Sequence, residues 1–208
     1  MILKHYLSFS NEMSNKFELV GVITMKKKSI IITLICVLAI ATAFYFSEYS
    51  IKRDRDVAEV QKIVTDKFDS ERNNIIGIGL EEKEYIYLTA TDDDLVVVHL
   101  QRGLFGRMKF NGMSYSDSSF CNGVVEVDDA KFIVIGGRNA NHQIAEIEFS
   151  LDSKPYEIEL KDPGELFLEY IKIDANTEDN HIVPGSMRLF NSTGEDVTSQ
   201  YSLNCFGI

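Results

Sequence analysis

The chain reads as a mostly β protein of the α+β kind: an antiparallel β-sandwich-like domain preceded by one transmembrane helix and one amphipathic helix. Three observations carry that reading. Residues 29–46 hold no charge and are nearly all Ile, Leu, Val, Ala, Thr and Phe. Residues 50–74 repeat apolar positions at helical spacing, with charges between them. From Ile75 onward, short β-branched and aromatic runs alternate with turn residues roughly every eight to twelve positions, the rhythm of antiparallel sheets.

The apolar run comes first. A helix rises ~1.5 Å per residue, so residues 29–49 span the ~30 Å hydrocarbon core of a bilayer. Tyr45, Tyr49 and Ile51 suit its far interface, where aromatic side chains are favoured. Lys26, Lys27 and Lys28 precede it, and the positive-inside tendency then leaves residues 1–28 as a cytoplasmic tail. A buried core helix would keep a polar stripe, and this segment has none. The competing reading is a cleaved signal peptide, with Ala41-Thr42-Ala43 as the small-residue site and cleavage after Ala43. Against it, the apolar run continues through Phe44, Tyr45 and Phe46, where a polar region should begin. Cys36 lacks the small preceding residue of a lipoprotein site, since Thr33-Leu34-Ile35 stand there. Residues 1–24 show no sustained period. Their end, "LVGVITM", back-translates to a purine-rich stretch resembling a bacterial ribosome-binding site. Met25 is therefore the expected working start, with a short disordered tail as the alternative.

Composition narrows the rest. From Ser47 onward there are 16 Lys and Arg against 30 Asp and Glu, a net charge of −14. Nucleic-acid binding needs basic side chains on phosphates, so that class is excluded. Repulsion from anionic headgroups is expected for the domain as a whole. Cys121 and Cys205 lie in the exported part, where a disulfide is permitted, and two independent buried thiols are the plainer expectation.

Residues 50–74 place Val57, Val60, Val64 and Phe68 at i, i+3, i+7 and i+11, an apolar stripe suited to packing on the domain. The run is too short for a coiled coil. Residues 75–208 form the β-rich domain. The expected strands are 75–80, 85–91, 95–101, 107–113, 123–128, 131–137, 144–151, 155–161, 166–173 and 186–191. No helical pattern alternates with them, which disfavours a parallel α/β sheet.

One hairpin can be set in register from sequence. Asp152-Ser153 serves as a two-residue turn, pairing Phe149 with Tyr156 and Ile147 with Ile158 on one face. Glu146 then lies opposite Glu159, and Glu148 opposite Glu157. Like charges directly opposite destabilise a sheet. That face calls for a basic residue from a neighbouring strand, a cation, or solvation alone. Glu146, Glu148, Glu157 and Glu159 are the weak candidates for Ca²⁺, since hard cations take carboxylate oxygens. A flat face supplies few ligands, so no metal site is assigned.

The remaining constellations read as turns. "DANTEDNH" (174–181) opens like a calcium loop at Asp174 and Asn176 but has Glu178, Asp179 and Gly185 where the pattern needs other residues. "TDDDL" (91–95) is an acidic loop. His99, His142 and His181 form no HxH or HxxxH pair. "GMSYSDSSF" (112–120) lacks the second glycine of a nucleophile elbow. "GIGLEE" (77–82) lacks both the third glycine of a dinucleotide loop and the lysine of a phosphate loop. In "IGGRN" (135–139), Gly136 and Gly137 are expected to supply unusual backbone angles, with Arg138 exposed. No cofactor and no catalytic residue is assigned.

The basic-plus-apolar start, "RGLFGRMKF" (102–110), "GGRNANHQIAEIEFSLDSKPYEI" and "MRLFNSTGEDVTSQY" together make the chain resemble small membrane-anchored proteins of Gram-positive bacteria. That resemblance covers about residues 25–201 and implies an export topology and a β-rich domain. It carries no catalytic residues. The expected function is a non-enzymatic, single-pass envelope protein, bound to the lipid bilayer through residues 29–46 and to another envelope protein or a cell-wall component. The contact would be an edge strand or the acidic hairpin. The alternatives are an envelope hydrolase drawing on Glu146, Asp174 and His181, or a secreted protein. A deep pocket or a histidine–carboxylate contact would favour the enzyme.

Overall fold

The computed structural model of the protein describes residues 29–68, 74–91, 94–139, 142–160, 164–203 and 206–207. The expectations for residues 1–28 and for Cys205 lie outside them. The described residues fall into two units, one within residues 29–48 and one from residue 49 onward.

In the first unit, α1 (Ser29–Glu48) is a 20-residue helix with none of its apolar window buried. Its length matches the hydrocarbon core of a bilayer at ~1.5 Å per residue. The hydroxyls of Thr33 and Thr42 donate to the carbonyls of Ser29 and Leu38, four residues back. This satisfies both hydroxyls within the helix itself.

The second unit begins with a departure from the expected helix. Ile51–Lys52 is a short strand, β1, followed by a 3-10 turn at Arg53–Arg55. Among the described residues the helix, α2, covers Asp56–Phe68, and the rest of its expected span, residues 69–73, lies outside them. The start is strand because Ile51 buries its side chain, while the Arg107 guanidinium donates to the carbonyls of Tyr49 and Ser50, each at 3.3 Å. Val60 and Val64 are fully buried, and Phe68 packs at the margin of the same core; Val57 remains half exposed. Each buried valine contributes roughly 1.5–3 kcal/mol.

The strands that follow are β2 (Ile75–Leu80), β3 (Glu84–Ala90), β4 (Leu95–Arg102), β5 (Arg107–Ser116), β6 (Phe120–Val127), β7 (Ala130–Arg138), β8 (Glu146–Leu151), β9 (Lys154–Glu159), β10 (Leu166–Ile173), β11 (Arg188–Phe190) and β12 (Phe206–Gly207). They form three sheets, in the orders β1-β5-β4-β3-β2, β10-β7-β6-β12 and β11-β8-β9. Every pairing is antiparallel except that of β12 with β6. We call these the first, second and third sheets.

Side-chain alternation stacks them. Ile86, Leu88, Leu95 and Val97 of the first sheet meet Cys121, Val125, Val134 and Leu168 of the second. Phe120, Ile133, Ile135 and Phe167 point the other way, onto Ile147, Phe149 and Ile158 of the third sheet. On its outer side the first sheet offers Tyr85, Tyr87, Val96, Val98 and Leu100 to α2. The order of layers is therefore helix, sheet, sheet, sheet. With both faces covered, β4 and β7 read as unbroken apolar runs, as doubly buried strands do.

Gly136 and Gly137 correct an expectation. Neither has a positive φ, and both lie inside β7. A Cβ at Gly136 would press on Leu88, Leu168 and the Cys121 thiol; one at Gly137 would lie 2.8 Å from the Ser119 carbonyl. They are glycines because neighbouring layers approach closely. Arg138 is only partly exposed, and its guanidinium donates to the carbonyls of Thr91 and Asp94, closing the β3–β4 loop. Cys121 is a buried thiol that donates to the Gly136 carbonyl at 3.4 Å.

Candidate functional site

The third sheet has the register expected of it. Glu146 pairs with Glu159, Ile147 with Ile158, Glu148 with Glu157 and Phe149 with Tyr156. Asp152 and Ser153 both have positive φ (48° and 63°), the signature of a type I′ hairpin turn. The basic neighbour that face called for is Arg188 of β11, directly opposite Glu148. Partial loss of hydration, with Glu157, Glu148 and Glu159 close by, holds the Glu146 carboxyl above its ordinary range. Beside them, Ser150, Pro155, Tyr156, Ser186 and Arg188 border an open groove of about 550 Å³. Among the described residues, no three His, Cys, Asp or Glu side chains converge as metal ligands. The four carboxylates present ligands from one side only, and the groove is open to water.

The acidic loop after β10 acts as a latch. The Asp152 carboxylate accepts from the backbone N–H groups of Glu178 (2.7 Å) and Asp179 (3.3 Å), and Asp179 accepts from Asp152 N–H at 2.8 Å. Lys154 donates to Asp174 at 2.7 Å, which holds the Asp174 carboxyl below its ordinary range. No hydrogen bond or ion pair among the described residues joins Glu146, Asp174 and His181, and His181 is exposed.

A histidine–carboxylate contact does exist, at residues the sequence did not bring together. Glu84 of β3 and His99 of β4 lie on the face that carries Ile86 and Val97. Glu84 Oε1 accepts from Gln101 Nε2 at 2.8 Å, and Glu84 Oε2 lies 2.9 Å from His99 Nε2. This second pair is at ion-pair distance but off the line of a hydrogen bond. The side chains are 10% and 22% exposed. Across the ladder from His99 stands Gly112, where an added Cβ would meet nothing within 4 Å. No hydroxyl or thiol among the described residues hydrogen-bonds to His99. The signal for it was the β3–β4 register, which a seven-residue strand of both-face apolar character does not reveal.

The most unusual surface is an edge. The third sheet's longer edge, β9, carries Lys154, Pro155 and two glutamates, and the second sheet's β10 carries Glu169 and Lys172. Charges and proline of that kind block further strand pairing. β2, the edge of the first sheet, is "IIGIGL" with neither. Gly77 and Gly79 are its exposed positions, and the rings of Tyr87 and Tyr85 on β3 lie across them. Among the described residues, β2 pairs on one side only. Its backbone thus offers an uncharged row of donors and acceptors, with bare glycine backbone between the isoleucines.

No protein-family model matches the chain, and no curated protein and no solved structure was found to be similar to it.

Proposed function

We propose that the protein is a non-enzymatic interaction domain, held by α1 in the cytoplasmic membrane with residues 49–208 on its outer face. Along β2 it takes up an extended segment of another envelope protein, which adds a strand to the first sheet. The carrying observation is that β2 is the one edge longer than three described residues without a charge or a proline. Main-chain hydrogen bonds supply affinity in such strand addition, and side-chain pockets supply selectivity. The apolar run of α1, free of charge over residues 29–46, and the lysines before it support the membrane placement.

A photo-crosslinking residue placed at Asn74 or at Glu81 tests this in intact cells. Both side chains are exposed and bracket β2. Discrete adducts are expected from these two positions and not from Glu157 on the third sheet. Adducts from Glu157 alone would move the contact to the acidic hairpin.

One observation favours a second reading, an envelope hydrolase: the partly buried His99–Glu84 contact. H99Q separates the two, since strand addition at β2 survives the change and a hydrolase using His99 as base does not.

A further inference from the structure

The hairpin between β4 and β5 ends in Gly103-Leu104-Phe105-Gly106. Leu104 is 66% exposed and Phe105 84%, the most exposed large apolar side chain outside α1 among the described residues. Phe105 also holds a left-handed backbone, φ 58° and ψ 28°, followed by Gly106 at φ 65°. A bulky residue pays in strain at such an angle, where turns ordinarily use Gly, Asn or Asp. Phe105 belongs to none of the three apolar cores.

The charges around the tip run against the rest of the domain. Residues 102–109 contain Arg102, Arg107 and Lys109 with no acidic residue, and the adjoining residues 51–55 contain Lys52, Arg53 and Arg55 against Asp54 alone. Lys52 pairs with Arg107 across β1 and β5. An open groove of about 630 Å³ runs among Lys52, Arg53, Asp54, Phe105, Gly106 and Arg107. Arg102 is partly neutralised by Glu82, to which it donates at 2.8 Å. Basic side chains around an exposed aromatic match the headgroup region of a bilayer, with phosphates for the cations and an apolar margin for the ring.

The chain itself brings this end to a membrane. Arg107 grips the carbonyls of Tyr49 and Ser50. Lys109 lies over the Tyr49 ring, 5.5 Å from its centre. Ser50 is two residues beyond the last residue of α1, at most about 7 Å of chain. We infer that the Leu104–Phe105 tip and its basic collar form a second membrane contact, inserted into the headgroup layer of the bilayer that α1 spans. The assignment rests on α1 lying in a bilayer, as proposed above.

The chain contains no tryptophan, so F105W gives the full-length protein a single reporter at the tip. V183W is the reference, because Val183 is an exposed apolar residue beside the third sheet. Both proteins are incorporated into phosphatidylglycerol-containing vesicles, with flotation after alkaline carbonate reporting on α1. The expected result is a floating protein in which F105W emission is blue-shifted and loses most of its intensity to brominated acyl chains, while V183W emission stays as in water. Replacing phosphatidylglycerol by phosphatidylcholine should weaken the F105W shift. A floating F105W protein with the emission of V183W overturns the tip contact and leaves the anchor standing. A protein that fails to float overturns the anchor and the tip contact with it.

Discussion

The ring of Tyr87 covers Gly77 so closely that a Cβ on Gly77 would lie 2.6 Å from two of its carbons. The ring cannot easily give way, because its hydroxyl donates to Asp56 Oδ2 at 2.6 Å. One tyrosine thus ties α2 to the first sheet and leaves no room for a side chain at Gly77. G77A should destabilise the fold by about 1–3 kcal/mol through overpacking. G112A, where nothing lies within 4 Å, should be near neutral. Chemical unfolding followed by circular dichroism compares the two.

The same tyrosine sets an alkaline limit. Burial first, and the Asp56 carboxylate second, hold the Tyr87 hydroxyl well above its ordinary value of 10.0. The folded state keeps the proton that the unfolded state releases. This contribution is complete below pH 10 and is lost as pH rises from there toward the folded-state value. Y87F should flatten the decline in stability above pH 10, while costing about 1 kcal/mol at neutral pH for the lost hydrogen bond. Unfolding curves measured across alkaline pH check both.

Glu146 works in the opposite part of the scale. Its raised carboxyl favours the protonated form in the folded state. That contribution is fully present below the ordinary value of 4.5 and lost as pH rises through the raised one. E146Q should therefore be more stable than the parent at neutral pH and similar to it in acid. E159K, which puts opposite charges across the ladder from Glu146, should gain about 0.2–1 kcal/mol at low salt and less at high salt. Thermal unfolding at two pH values and two salt concentrations reads out each change.

The β8–β9 turn separates backbone strain from side-chain bonding. Ser153 has φ 63° and no side-chain hydrogen bond among the described residues. S153G should stabilise by roughly 0.5–1 kcal/mol. D152A should destabilise, because Asp152 accepts from both Glu178 and Asp179. Its hydrogen-exchange signature is faster exchange at those two amides.

Much of the fold was legible where one face meets water. β8 and β9 alternate strictly, and their register follows from the turn and the pattern together. β2 and β10 match their expected bounds for a related reason, ending at charges or turn residues. The layering was not legible. β4 and β7 are buried on both faces, so "LVVV" and "FIVI" carry no alternation and no register. The Glu84–His99 contact depends on that missing register, and sequence offered Glu146, Asp174 and His181 in its place. β1 was hidden in the helical stripe. Its strand character comes from Arg107, 57 residues away from Ser50, and no local pattern reports that contact.

The proposed tether is tested most directly by an intact mass of the native protein taken from fractionated cells. The account predicts a product in the membrane fraction whose mass retains the whole of Ser29–Glu48. A soluble product beginning at Phe44 would contradict it, showing that the apolar helix is a signal peptide and that the domain leaves the membrane.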